Sequence, residues 1–140
     1  MPQYYLAIDA GTGSGRAVVF DQTGRQCGLG QQEWTHVEEA NVPGSMAFDT
    51  GANWPLLCRC VREALAQADV RADQISAIST TSMREGIVLY DETGAEIWGC
   101  ANVDGRSTTE VAALKKRDPD LEREFYRVSG QTFALGAWPR

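Results

Sequence analysis

Histidine and lysine are scarce in this sequence: His36 stands alone in 140 residues, and Lys115 and Lys116 are the only lysines. One histidine gives little support to a Ser-His-Asp or Cys-His nucleophilic pair. The four cysteines, Cys27, Cys58, Cys60 and Cys100, contain no C-x-x-C spacing. With a single histidine, they do not make up the compact set of about four ligands that zinc requires. They read instead as small apolar residues of a reducing compartment. Positive charge is in deficit, with 13 Lys and Arg against 19 Asp and Glu and a net charge of −6. A non-specific nucleic-acid binder needs the opposite sign to neutralise phosphates, so no nucleic-acid partner is expected. No apolar run approaches the roughly 20 residues of a membrane span. Met1-Pro2-Gln3 supplies no basic stretch ahead of the short apolar run that follows, so no secretory signal is read there. The expected setting is cytoplasmic, with no membrane partner.

What is present is ordinary globular composition, 43% hydrophobic and 23% charged, in a length that favours one domain. Two β-rich runs, 4–9 and 16–20, flank a glycine-rich stretch, and a third strand is expected within 29–37. Residues 39–51 read as a loop. Trp54, Leu57, Cys58, Val61, Ala64, Leu65 and Ala68 then follow helical spacing, with Asn53 as N-cap and Pro55 in the first turn. Cys58 and Cys60, two apart, should point to different faces of that helix. A polar stretch at 70–74 ends it, and a fourth strand follows at 75–81. Runs 86–90 and 95–98 form a hairpin, and helices are expected at 108–117 and 121–128, separated by Pro119. The Phe20-Asp21-Gln22-Thr23-Gly24 turn is echoed by Tyr90-Asp91-Glu92-Thr93-Gly94, read as one hairpin solution used twice. Phe125, Tyr126, Phe133, Leu135 and Trp138 crowd the last sixteen residues. That apolar ending suggests a fold cut rather than finished, with self-association through its open face.

Asp9-Ala10-Gly11-Thr12-Gly13-Ser14-Gly15-Arg16 is the richest local feature. Glycines let backbone N–H groups approach an anion, Thr12 and Ser14 add hydroxyl donors, and Arg16 adds fixed charge. Asp9, at a strand end, is placed to hold Mg²⁺ through water. The P-loop is excluded because no lysine stands here, and the Rossmann fingerprint because a strand, not a helix, follows the glycines. The residues alone leave a structural glycine-rich hairpin and a phosphate site both open.

Ser82-Met83-Arg84-Glu85-Gly86 follows the fourth strand. If strands one and four are parallel neighbours joined through a helix, their carboxyl ends share one sheet edge, where open α/β folds bind ligands. The Asp9 loop and Arg84-Glu85 are therefore expected at a common crevice. Arg84 offers a rigid fork of donors and Glu85 offers acceptors, which suits vicinal hydroxyls. A weak surface ion pair is the alternative.

Asp-x-Gly-Thr between the first two strands resembles the first phosphate motif of the actin-like ATPase superfamily. Residues 8–16 are similar to the opening of the FGGY carbohydrate kinases. Residues 82–90, with Gly94, Ile97-Trp98, Cys100-Ala101-Asn102-Val103-Asp104 and Arg106, closely resemble the bacterial autoinducer-2 kinases, a branch of that family. Val42-Pro43-Gly44-Ser45-Met46, Phe48-Asp49, Tyr126-Arg127, Gly130-Gln131-Thr132, Ala134-Leu135 and Pro139-Arg140 extend the likeness over nearly the whole chain. Arg84-Glu85 matches the polyol-binding pair of glycerol kinases, and Asp104-Gly105-Arg106 the Asp-Gly-Arg of xylulose kinases. Many relatives carry Trp two residues before that Asp, where this sequence has Asn102.

The resemblance implies a ribonuclease-H-like α/β domain, with three antiparallel N-terminal strands and a helical crossover to a parallel fourth. It implies transfer of the γ-phosphoryl of ATP, with Mg²⁺, to a hydroxyl of dihydroxypentanedione. Asp9 would organise the metal. Gly11, Thr12, Gly13, Ser14 and Arg16 would surround the phosphoryl, and Arg84, Glu85, Asn102 and Asp104 would hold the acceptor. Family members are several times longer and have two domains, and their general-base Asp lies beyond position 140. The chain is thus expected to be the N-terminal part, residues 1–140, of the first kinase domain, without the second domain and inactive by itself. An FGGY kinase for glycerol or a pentulose, and a non-catalytic actin-like binding module, are the alternatives.

Overall fold

The computed structural model describes residues 3–133, which form two compact units. Among the described residues, the first comprises 3–35 and 49–83, and the second 36–48 and 84–133.

The first unit is a four-stranded sheet carrying one helix. Strands β1 (Tyr4–Ala10), β2 (Ser14–Asp21) and β3 (Gln26–Glu33) form an antiparallel meander, and β4 (Ile75–Ser82) pairs parallel with β1. The order is β3-β2-β1-β4, so the expected mixed sheet is present. Strand β3 begins earlier than the sequence suggested. Its Gly28 and Gly30 lower strand propensity, and the pattern alone did not reveal why a strand would carry them.

Helix α1 (Thr50–Ala68) lies on β2 and β3. Alternation along the strands sends Leu6, Ala17 and Val19 to the same face, where they bury with Cys60, Ala64 and Val70. Gly28 and Gly30 bring β3 so close to α1 that a Cβ at either position would collide with the carbonyl oxygen of Ala64 or Cys60. Cys60 is fully buried and donates its thiol to the Gly15 carbonyl at 3.2 Å, while Cys58 is half-buried. The two do face differently.

The helix start is a correction. Asp49, not Asn53, is the N-cap, and its carboxylate accepts from Ala52 N–H at 2.8 Å. Asn53 is buried inside the helix, Pro55 falls in the second turn, and Trp54 is exposed. An Asp at the cap satisfies an orphan donor that Asn53, a turn later, leaves open. At the other end Asp69 takes a left-handed conformation (φ 52°), its N–H reaching Ala66 O while Val70 N–H reaches Leu65 O. This closure turns Val70 inward onto the core, although the sequence placed it in a polar stretch.

The second unit holds the hairpin β5 (Ile87–Tyr90) and β6 (Glu96–Cys100) and helices α2 (Thr108–Arg117) and α3 (Leu121–Ser129). The stretch read as a 39–51 loop is not free. Val37 bridges Ala47, Ala47 bridges Cys100, and Ala101 N–H donates to Met46 O at 2.9 Å. Phe133, expected on an open apolar face, is buried edge-on against Phe125 at 5.1 Å. Leu135 and Trp138, the rest of that expected face, lie outside the described residues.

The echoed turns are the same turn built twice. The Asp21 carboxylate accepts from the Thr23 hydroxyl and from the Thr23 and Arg25 amides; Asp91 does the same with Thr93 and Ala95. The Thr23 hydroxyl is the main cause holding Asp21 down at about 2, and the Thr93 hydroxyl likewise lowers Asp91. Gly24 and Gly94 both sit at φ 82°, and a Cβ at either would meet nothing. Any cost of adding one is therefore purely backbone. Gly24→Ala and Gly94→Ala are each expected to cost about 1–2 kcal/mol by urea denaturation. A neutral result at both would show that the turns relax freely.

Candidate functional site

Ladder register defines the glycine-rich turn. Asp9 pairs with Arg16 and Ala10 with Gly15, which leaves residues 11–14 to reverse the chain. Gly11 N–H closes the turn on Ser14 O at 2.9 Å. The glycines serve different ends. A Cβ on Gly15 would stand 2.6 Å from the Trp34 ring, so Gly15 serves packing. A Cβ on Gly13 would meet nothing, and Gly13 is exposed, so its backbone is open to a ligand. Trp34, 7% exposed, lies beneath the turn and donates its indole N–H to Gly11 O at 3.2 Å and Thr12 O at 3.0 Å.

Asp9 stands at the carboxyl end of β1 with about a third of its side chain exposed, 3.9 Å from Arg16 Nε. At that distance and exposure the pair is worth little, so Asp9 can turn toward a cation. Among the described residues, no cluster of three or more His, Cys, Asp or Glu is gathered for a metal. A lone carboxylate fits Mg²⁺ that keeps most of its waters, and does not fit a metal needing a protein cage. Met83 N–H donates to Ala10 O at 2.8 Å, so β4 stays alongside β1 to its end. Arg84 and Glu85 come next in the chain.

Within the second unit, Ile87 pairs with Cys100. Arg84-Glu85 therefore enters, and Asn102 leaves, the same end of the β5–β6 hairpin. Arg84 and Glu85 are exposed and Asn102 is half-buried. Glu85 has φ 63°, a left-handed conformation that asparagine and aspartate tolerate far better than glutamate. Such strain is often held at functional positions.

Asp104 behaves unlike the other candidates. Its side chain has no exposed surface. It accepts from Met46 N–H at 2.7 Å, Arg106 N–H at 3.1 Å and Arg106 Nε at 2.9 Å. Arg106 also reaches Glu39 at 2.5 Å and lies 4.7 Å from the Trp98 ring centre. Burial works to raise the Asp104 pKa, but the Arg106 and Met46 hydrogen bonds outweigh it and hold the carboxyl below the usual range. Arg106 is correspondingly raised, chiefly by Asp104 and Glu39. Asp104, expected at the acceptor, has its carboxylate engaged by the Met46 amide and by Arg106 in this structure.

Asp9, Gly11, Thr12, Gly13, Ser14 and Arg16 thus share one turn, and Arg84, Glu85 and Asn102 one hairpin end. Trp34 and Glu39 escaped the sequence reading. Both lie far along the chain from what they hold, and neither belongs to a spaced motif. A tryptophan directly after a strand ending in polar residues was the available signal for the first.

The profile of the FGGY family of carbohydrate kinases, N-terminal domain, matches residues 4–137. The chain is 57% identical over 138 residues to an autoinducer-2 kinase of Klebsiella pneumoniae subsp. pneumoniae, covering 98% of this chain and 26% of that protein. It is 54% identical over 139 residues to an autoinducer-2 kinase of Photorhabdus laumondii, covering 99% and 26%. The chain therefore spans about a quarter of the length of these curated relatives. Among solved structures, a "xyloylose kinase" from Brucella ovis superposes with TM-score 0.76 at 24% identity, over 95% of this chain and 27% of that one. The ribonuclease-H-like expectation for the fold is met.

Proposed function

The chain belongs to the FGGY family of carbohydrate kinases, and from that membership we propose that it supplies the donor-phosphate turn and the acceptor-binding residues of a cytoplasmic, ATP-dependent autoinducer-2 kinase. The observation that carries this reading is the turn at the end of β1. There Asp9, the exposed backbone of Gly13, two hydroxyls and Arg16 stand within eight residues of one another. Residues 1–140 are the opening part of the first kinase domain in this reading.

Phosphoryl transfer depends mostly on positioning and on stabilising spread negative charge. The turn's amides, the Thr12 and Ser14 hydroxyls and Arg16 bind and orient the transferring group. Asp9 would hold Mg²⁺, and the ion would supply positive charge to neutralise the phosphates. Arg84 and Glu85 grip adjacent oxygens of the acceptor with donors and acceptors respectively. Asn102, smaller and more polar than the Trp of many relatives, suits a substrate rich in carbonyl and hydroxyl oxygens. The general base comes from outside these residues.

The test is steady-state kinetics on the full-length protein, varying ATP and dihydroxypentanedione separately. Asp9→Asn should lower kcat about 10²-fold with little change in acceptor KM, because its charge matters most in the transition state. Arg84→Ala should raise acceptor KM roughly tenfold or more and leave ATP KM within about twofold. Weakened ATP binding in Arg84→Ala would place the acceptor residues wrongly. Faster turnover of glycerol or a pentulose would overturn the substrate and leave the kinase reading standing.

A further inference from the structure

We propose that Trp34 is a positioning residue for phosphoryl transfer, presenting the Thr12, Gly13 and Ser14 amides of the glycine-rich turn to the donor's phosphate. The proposal rests on the donor-turn reading above. Three successive carbonyls turn toward Trp34: Gly11 O and Thr12 O accept from its indole N–H, and Gly13 O accepts from its backbone N–H at 3.1 Å. The described peptide bonds are all trans, and in a trans planar peptide C=O and N–H point in opposite directions. Each carbonyl drawn toward Trp34 therefore turns the following N–H away from it. Those N–H groups belong to Thr12, Gly13 and Ser14. Three neighbouring amides facing the same way make an anion-binding concavity.

The indole suits this task for two further reasons. Trp34 is 7% exposed, so water competes poorly for the bifurcated bond. Its ring also meets Gly15 with no room for a Cβ, so it cannot shift toward β2. The turn is in effect set from below, and the absence of a side chain at Gly11 and Gly15 leaves room for it. Phenylalanine at 34 keeps most of the ring but deletes the donor, leaving two half-buried carbonyls to seek water and their peptides free to rotate.

The experiment compares Trp34→Phe and Trp34→Leu with the unsubstituted full-length protein. Amide hydrogen exchange at residues 12–14, thermal stability and separate KM values for Mg·ATP and acceptor are measured. Trp34→Phe should speed exchange at Thr12 and Gly13, raise the KM for Mg·ATP about tenfold and leave acceptor KM within about twofold. Trp34→Leu, which also loses ring packing, should show the same split with a lower melting temperature. Equal rises in both KM values, or none, would reduce Trp34 to a core residue and overturn the proposal. If Mg·ATP leaves exchange at residues 12–14 unchanged in the unsubstituted protein, the donor-turn reading itself falls and takes the proposal with it.

Discussion

Gly30→Ala should unfold the first unit, or destabilise it by at least about 3 kcal/mol. Most glycine-to-alanine changes in strands are mild or even favourable, since alanine restricts the unfolded chain. Here the new Cβ would be driven into the Cys60 carbonyl of α1. That oxygen belongs to helix backbone and cannot rotate away as a side-chain tip would. Relief requires α1 to lift from the sheet, which exposes Cys60, Ala64 and Val19 together. Gly28→Ala should behave alike against Ala64. Gly13→Ala is the control, because its Cβ meets nothing, and it should stay within about 0.5 kcal/mol of the parent. Urea midpoints at constant m-value decide the matter. A Gly30→Ala midpoint equal to that of Gly13→Ala would mean that helix and strand are further apart than described.

Asp104→Ala should cost about 2–3 kcal/mol, since it leaves the Met46 amide without its acceptor and leaves Arg106 to Glu39 beside a buried gap. Asp104→Asn keeps the shape and should cost less. The carboxyl titrates lower in the folded chain than in the unfolded one, so ionised Asp104 contributes stability that is fully present above the ordinary aspartate value, about 3.9. That contribution is lost as pH falls through the depressed native value. The gap between parent and Asp104→Asn should therefore be flat from pH 7 to about 5 and shrink below about 4. A gap that widened on acidification would mean the carboxyl is protonated when buried.

Elements dominated by local rules were legible in the sequence. Helix α2 was expected at the residues where it occurs, and the twin Asp-x-Thr-Gly turns follow from hydrogen bonds spanning four residues or fewer. The parallel pairing of β1 with β4 was expected through the strand–helix–strand order. Long-range requirements were hidden. Gly28 and Gly30 look like strand breakers until α1 is laid on them. Asp49 looks like loop until its carboxylate meets Ala52 N–H. For the candidate site, the Asp9 turn and Arg84-Glu85 were readable as chemistry-bearing clusters. The surroundings of Asp104 were not, because Met46 donates to it, and Glu39 reaches its partner Arg106, from some sixty residues away. Trp34 escaped for the same reason: it acts on a turn more than twenty residues upstream.

The central position of β1 bears on how the chain assembles. Tyr4 pairs with Asp21 on one side and with Ile75, half the chain away, on the other. The meander can zip within the first 33 residues, but the second edge of β1 stays vacant until β4 arrives. Closing so long a loop is entropically slow, and non-local pairings set the pace of folding. At a ribosomal rate of about 5–20 residues per second, the vacancy lasts a few seconds or more for each nascent chain. Tyr4-Tyr5-Leu6-Ala7-Ile8 is uncharged and strand-prone, so two nascent chains can join edge to edge during that interval. Yield from rapid expression is thus governed by how soon Ile75–Ser82 is synthesised and docked, and lowering the number of chains made at one time does not shorten the interval but makes encounters within it rarer.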